Sequence, residues 1–322
     1  MSARHEPVLV EEMLRFLRNG PGLYLDATLG DGGHAEALLG AEPGARLLGC
    51  DRDPASLAVA EVRLMPFAGR TTIAHAAFKD LPEVHARIGG EPLTGALIDL
   101  GVSSRQLDDP ARGMSFRSEG PLDMRMDRAA GSPASDRLRD VESAELARVL
   151  GTLGDLPDAG RLARHLVEAA RAGRLTSSRA LVEAIDRAGG PRHPRRYARV
   201  FQALRMWVND EVGELEAALR WLPEALRDGG VLVTLAYHSG EDRRIKQALR
   251  GTDSRARAVR RLPESIGDRP DPGRWEELVK GVVTPSADEQ ARNPRARSAR
   301  LRAFRRRRPG TWKSEVPVRP GA

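Results

Sequence analysis

The chain has 322 residues, enough for one large core with an inserted lobe or for two domains, and 40% hydrophobic with 30% charged residues suits a globular protein. No run of 18 apolar residues occurs, so no membrane span is expected, and the opening MSARHEPVLVEEMLRFL, with acids inside its apolar stretch, does not read as a signal peptide. A net charge of +7 suggests an anionic partner, most often nucleic acid, but 48 arginines against four lysines also fit a compositional bias, so the placement of charge matters more than its sum.

Pro7 suits the first turn of a helix over 7–18, with Val10, Met13, Leu14 and Leu17 on one face. Residues 23–28 form a short apolar run that ends in a glycine cluster, and 46–50 form a second; both read as buried strands. Asp53 caps a helix over 54–64. A weaker strand follows at 71–74 and a fourth at 97–100. This rhythm predicts an α/β fold with a parallel sheet. From about 105 to 213 no strand is expected: a loop, DDPARGMSFRSEGPLDMRMD, leads into helices near 142–150, 158–172 and 177–188. The alternation then resumes with a helix over 212–227 interrupted by Pro223, a strand at 231–236 and a helix at 241–250.

The simplest organisation is a discontinuous sheet domain, 1–105 with 214–308, carrying an inserted helical domain at 106–213. The tail from 292 to 308 holds nine arginines, and Ala299, Leu301 and Ala303 alternate with Arg300 and Arg302. Period two predicts an edge strand with one basic face. Residues 309–322 are expected to be a flexible tail. The single cysteine, Cys50, cannot form an internal disulfide and lies in an apolar run, so it reads as packing in a reducing, cytoplasmic compartment.

The first strand runs into Gly30-Asp31-Gly32-Gly33-His34-Ala35, which fits a G-x-G-x-x-(G/A) turn in which the backbone bends tightly and approaches a ligand closely. Asp51 ends the second strand about 20 residues later, where its carboxylate can accept from both ribose hydroxyls of an adenosine. Nicotinamide dinucleotide and S-adenosylmethionine (AdoMet) sites share this logic. AdoMet is favoured by Asp26 before the turn, by Phe78 after the third strand, where adenine would lie, and by Asp99 at the end of the fourth strand, facing the methyl donor. No histidine spacing among His5, His75, His85, His165 and His193 suggests a metal.

The strings HEPVLVEEML, DATLGDGGHAEALL, GCDRDPASL, LIDLGVSSRQLDDPARGMSFRSEGPLDMRMD, FQALRMWVNDEVGELE and NPRARSARLRA, spread over 5–304, resemble the bacterial small-subunit (16S) rRNA cytosine-N4 methyltransferase family, RsmH or MraW. The resemblance implies a class I AdoMet-dependent methyltransferase (Rossmann-like) sheet with an inserted all-helical domain. It implies cofactor contacts at Gly32, Gly33, His34, Asp51, Phe78, Asp99 and Gln106. The implied substrate is a cytidine in the decoding region of the small ribosomal subunit, methylated on its exocyclic amine. The chain departs from the family's HSLEDR at Gly240, in Tyr237-His238-Ser239-Gly240-Glu241-Asp242-Arg243, where the absence of Leu is expected to loosen the start of the following helix.

A cytosine amine is conjugated with its ring and is a weak nucleophile, so alignment for direct in-line transfer should supply most of the rate gain. A hydrogen-bond acceptor near the amine would localise its lone pair and stabilise the developing charge. Asp99, with Ser103 or Ser104, is the candidate set; the alternative is that Asp99 binds only cofactor and the serines cap backbone. His238 either faces the substrate or holds its loop. Arg295, Arg297, Arg300 and Arg302, with the run 305–308, are candidate phosphate contacts, and the insert is the expected reader of shaped RNA. Neither a metal nor a covalent intermediate is required. Two other readings remain at this point: a nicotinamide-dependent oxidoreductase, and an RNA-binding assembly factor with a decayed cofactor site.

Overall fold

The computed structural model describes residues 7–250 and 274–308. The expected flexible tail, His5 and Glu6 lie outside these residues. The chain divides into two compact units, Met1–Gly101 with Leu215–Ala322, and Val102–Glu214.

The first unit alternates helix and strand. In order come α1 (Val10–Leu17), β1 (Gly22–Asp26), α2 (Gly33–Ala41), β2 (Ala45–Asp51), α3 (Pro54–Leu64), β3 (Thr71–His75), α4 (Leu81–Arg87) and β4 (Leu93–Asp99). After the second unit, α11 (Glu211–Ala225), β5 (Leu226–Ala236), α12 (Ser239–Arg250), β6 (Trp275–Glu277), α13 (Ala287–Arg292) and β7 (Arg300–Arg306) complete it. The sheet order is β3-β2-β1-β4-β5-β7-β6. The first five strands pair in parallel, and β7 is antiparallel to both β5 and β6.

Strands buried on both faces read as continuous apolar runs, which is why β1, β2, β4 and β5 stand out in the sequence. Alternation still sorts their side chains. Leu23, Leu25, Leu48, Cys50, Ala96 and Ile98 join Leu81 of α4, Leu219 of α11 and Ile245 of α12 in one core. Tyr24, Leu47, Leu97, Val233 and Leu235 face the other way, toward Met13 of α1, Leu38 of α2 and Leu57 of α3.

β7 is not the edge strand that its alternating arginines predict. Three residues of β6, too few to leave an apolar run, pair outside it. Nor is its arginine face open: Arg302 is 5% exposed, and its Nε donates to Asp242 Oδ1 at 2.6 Å from α12. Both faces of β7 are covered, so period two here separates one buried environment from another.

The second unit is helical: α5 (Ser104–Asp108), α6 (Ala134–Asp140), α7 (Ser143–Gly154), α8 (Ala159–Arg171), α9 (Ser178–Arg187) and α10 (Pro194–Val208). Its core joins Leu138, Leu150, Leu166, Leu181 and Phe201. Asn209 pins the long loop, accepting from Met126 N at 2.8 Å and donating to Met124 O at 2.8 Å.

Candidate active site

Alternation places four polar side chains on one face of the sheet at the carboxyl ends of its strands. Asp26 follows the parity of Tyr24, Asp51 that of Leu47, Asp99 that of Leu97, and Tyr237 that of Leu235. The ends are adjacent because β1 lies between β2 and β4, with Asp26 opposite both Gly49 and Leu97.

The glycine turn hangs over this corner. Leu29 N–H donates to Cys50 O at 2.9 Å, and Gly30 N–H donates to Asp51 Oδ2 at 2.7 Å, so the loop is tied to the end of β2. Gly30 (φ +51°) and Gly32 (φ +79°) occupy the left-handed region that favours glycine. A Cβ on Gly30 would meet nothing closer than 3.8 Å, so its backbone lies open to an approaching ligand, whereas a Cβ on Gly33 would lie 3.0 Å from Pro7 and from Arg63. His34, in the first turn of α2, is buried and pairs through Nε2 with Val8 O at 2.9 Å, so that nitrogen carries the proton.

Asp51 does not cap the helix after it. Asp53 does, accepting from Ala55 N at 3.0 Å, while Asp51 Oδ1 accepts from Asp53 N at 2.9 Å. Burial raises the Asp51 carboxyl above its ordinary value, and the N–H groups of Asp53 and Gly30 oppose that shift. Phe78 opens a short 3-10 turn, Phe78–Asp80, three residues after His75, whose register partner is Asp51; the ring is partly buried against the core.

Two acids carry the electrostatic signature of the site. Asp26 is 3% exposed, and its carboxyl is pushed up to about 7, by burial first, with His34 and the Thr28 N–H opposing. Asp99 is likewise pushed up to about 7 by burial, opposed by a hydrogen bond from Tyr237. His34 Nδ1 lies 3.7 Å from Asp99 Oδ2, and burial lowers the imidazole's affinity for a proton while Asp26 opposes that shift. Carboxyls so perturbed at the mouth of a glycine turn make this corner the candidate functional site.

Such a site fits a cation and disfavours a polyanion. AdoMet brings an ammonium and a sulfonium, which the carboxylates at 26 and 99 can hold, and an adenosine whose ribose hydroxyls Asp51 can accept. A nicotinamide dinucleotide would bring a pyrophosphate beside the same acids. Cys50 is buried with its thiol pushed up to about 12 by burial, so it supplies no thiolate nucleophile. Among the described residues, no cluster of three metal-ligating side chains occurs and no helix is long and apolar enough to cross a membrane.

In the second unit, Ser103 caps α5: its Oγ accepts from Gln106 N at 3.2 Å, and Gln106 Oε1 accepts from Ser103 N at 3.0 Å. The pair therefore has a structural task, and Gln106 is buried by it. His238 Nδ1 accepts from Glu241 N at 3.3 Å, which ties the ring to its loop, while Nε2, 3.1 Å from Glu241 Oε1, makes no hydrogen bond. At Gly240 a Cβ would lie 3.1 Å from His238 Nδ1, a tight contact that the ring would have to relieve by a small shift.

Arg295 and Arg297 are exposed in the short turn Pro294–Ser298, and Arg300 is partly exposed. Arg302 is removed from the candidate phosphate contacts, because Asp242 and Glu277 hold it in the interior. Tyr237 and Glu241 were the residues that sequence reasoning missed. The one available signal was a hydroxyl-bearing aromatic directly after a strand whose parallel partner ends in an acid.

Residues 2–307 match the profile of the MraW methylase family. The chain belongs to the MraW methylase family. It is 42% identical to the ribosomal RNA small subunit methyltransferase H of Sorangium cellulosum (strain So ce56), over 94% of this chain and 91% of that one. It is 44% identical to the protein of the same name from Nitratidesulfovibrio vulgaris (strain DP4), over 94% and 95%. As an MraW methylase the chain is a methyltransferase with AdoMet as cofactor, and its sheet, with β7 reversed beside β5, is that of the class I methyltransferases. This excludes the oxidoreductase reading.

Proposed function

We propose that the chain methylates the exocyclic N4 of a cytidine in the decoding region of small-subunit 16S rRNA. The carrying observation is the buried Asp26 and the partly buried Asp99 beside a glycine turn anchored to Asp51, in a family whose relatives are named for small-subunit rRNA. Asp51 accepts from the ribose hydroxyls, Asp26 faces the ammonium, and Gly32, Gly33 and His34 line the methionine side. Phe78 flanks adenine, and the family resemblance adds Gln106 to the cofactor contacts. When bound, AdoMet supplies an electrophilic methyl group on a sulfonium, open to direct in-line displacement.

Asp99 then acts on the nucleobase. Its carboxylate accepts a hydrogen bond from the N4 amine, which draws the nitrogen lone pair out of conjugation and stabilises charge developing on that nitrogen. Positioning supplies most of the remaining gain. No step needs a metal, because the electrophile carries its own positive charge. Ser103 serves this reading only through its cap on α5.

Arg295, Arg297 and Arg300 provide phosphate contacts, and the helical unit reads the shaped RNA around the target. With the small ribosomal subunit as partner, the proposed reaction is a cytoplasmic one. The test is transfer of labelled methyl from AdoMet to small subunits lacking the modification, followed by nucleoside analysis. Label in N4-methylcytidine (or its 2′-O-methylated form) supports the proposal; label confined to another nucleoside rejects it.

A further inference from the structure

Tyr237 stands one residue beyond β5 and points its ring to the face that carries Asp26, Asp51 and Asp99. Its phenolic O–H donates to Asp99 Oδ1 at 3.0 Å. The residue is held from behind by α12: Tyr237 N–H donates to Glu241 Oε2 at 2.9 Å, and His238 N–H shares that oxygen at 3.3 Å. On the other side, Asp99 N–H donates to Thr28 Oγ1 at 2.7 Å, which fixes the backbone from which the carboxylate projects. Asp99 Oδ1 is thus committed to the phenol, and Oδ2 is the oxygen that faces His34, at 3.7 Å.

We propose that Tyr237 is a positioning residue for methyl transfer, whose phenol fixes one oxygen of Asp99 and leaves the other to accept from the nucleobase amine. This rests on the reading of Asp99 as the amine's acceptor. The chemistry suits the role. Burial and the neighbouring Asp99 hold the phenol well above its ordinary value, with Glu241 and Glu289 adding to the shift, so it remains a donor at every working pH. The same hydrogen bond favours the ionised form of Asp99 against burial and against Glu241. The other titratable groups at this corner are Asp26, Asp51 and His34, whose imidazole burial disfavours in its charged form.

The test compares the wild type with Tyr237→Phe and Asp99→Asn, two nearly isosteric changes. In the cofactor-free proteins, carboxyl-carbon NMR with labelled aspartate follows the Asp99 titration, identified by the resonance that Asp99→Asn removes. Loss of a hydrogen bond to a charged group should move the Asp99 midpoint upward by about one pH unit in Tyr237→Phe. The second readout is the pH profile of single-turnover transfer at saturating AdoMet. Its acidic limb should move the same way in Tyr237→Phe, with a loss of about tenfold on that limb and recovery at higher pH.

A slow Asp99→Asn with an unmoved Tyr237→Phe midpoint and limb overturns the proposal and leaves Asp99 in its role. A limb that stays put in Tyr237→Phe while the NMR midpoint moves also overturns it, because the phenol then tunes an acid that the reaction does not use. Wild-type rates in Asp99→Asn bring down the Asp99 reading and this inference with it.

Discussion

Replacing Asp26 by Asn should stabilise the cofactor-free protein while weakening its hold on AdoMet. In the folded chain the Asp26 carboxyl titrates at about 7 instead of 3.8, chiefly because it is buried at the end of β1. A raised carboxyl pKa means that the folded state holds a proton which the unfolded chain has already released. The stability linked to that proton is present below pH 3.8 and is lost as pH rises through about 7. A difference of about three units at 1.36 kcal/mol each puts the loss at up to about 4 kcal/mol above pH 7, a large share of an ordinary folding free energy. Asn mimics the protonated acid and keeps an oxygen for Thr28 N–H, which Asp26 Oδ1 accepts at 3.1 Å. Scanning calorimetry at pH 4.5 and pH 8 should show the wild type losing stability between them more steeply than the variant, with the variant ahead at pH 8. Saturating AdoMet should narrow that lead, because its ammonium stabilises the carboxylate. A variant no more stable than the wild type at pH 8, or one that binds AdoMet equally well, would refute the argument that a buried acid is kept for the cofactor.

Asp51→Ala removes the acceptor for Gly30 N–H and Asp53 N–H together with the proposed ribose acceptor. At about 1.5–3 kcal/mol for a hydrogen bond to a charged group, AdoMet affinity should fall at least tenfold by titration calorimetry, and a change within twofold would be inconsistent with its role. Because Asp26 and Asp99 both titrate at about 7, wild-type AdoMet affinity should fall as pH drops below 7 and level off above it; a flat affinity from pH 5.5 to 8.5 would contradict the ionic role of both acids. The double variant Arg295→Ala, Arg297→Ala should bind RNA more weakly and lower the salt slope by on the order of one for each phosphate that the two guanidiniums neutralise. Arg302→Ala should instead lower the melting temperature, at a cost approaching the 3–5 kcal/mol typical of a broken buried pair, and should leave the salt slope of RNA binding unchanged where the protein stays folded.

The parallel core was legible because its strands are buried on both faces and spell apolar runs, LYLD, RLLGCD, LIDL and VLVTLA. The gathering of the glycine turn and the acids at 26, 51 and 99 is legible for a related reason: each acid ends an apolar run, and the parallel sheet brings those ends to one edge. What failed was the inference that alternation means one wet face. In β7 it separates Leu301 and Ala303 from Arg302 and Phe304, and all four are buried, the arginine by pairing with Asp242. β6 was invisible because three residues, WEE, become a strand only by pairing with β7. The hydrogen bond between Tyr237 and Asp99 was beyond sequence reasoning because it depends on the β4–β5 register, which sets Asp99 opposite Leu235. At Gly240 the sequence suggests only a missing leucine, whereas the room that glycine leaves is taken up by the His238 ring.

The most direct test of the cationic-cofactor reading is a crystal structure of the protein soaked with AdoMet at pH 7.5. The ammonium should lie against Asp26, the ribose hydroxyls against Asp51 and the methyl group toward Asp99, with Gly30 backbone facing the ligand. A cofactor seated away from these three carboxylates, or a site that takes up a dinucleotide in its place, would contradict it.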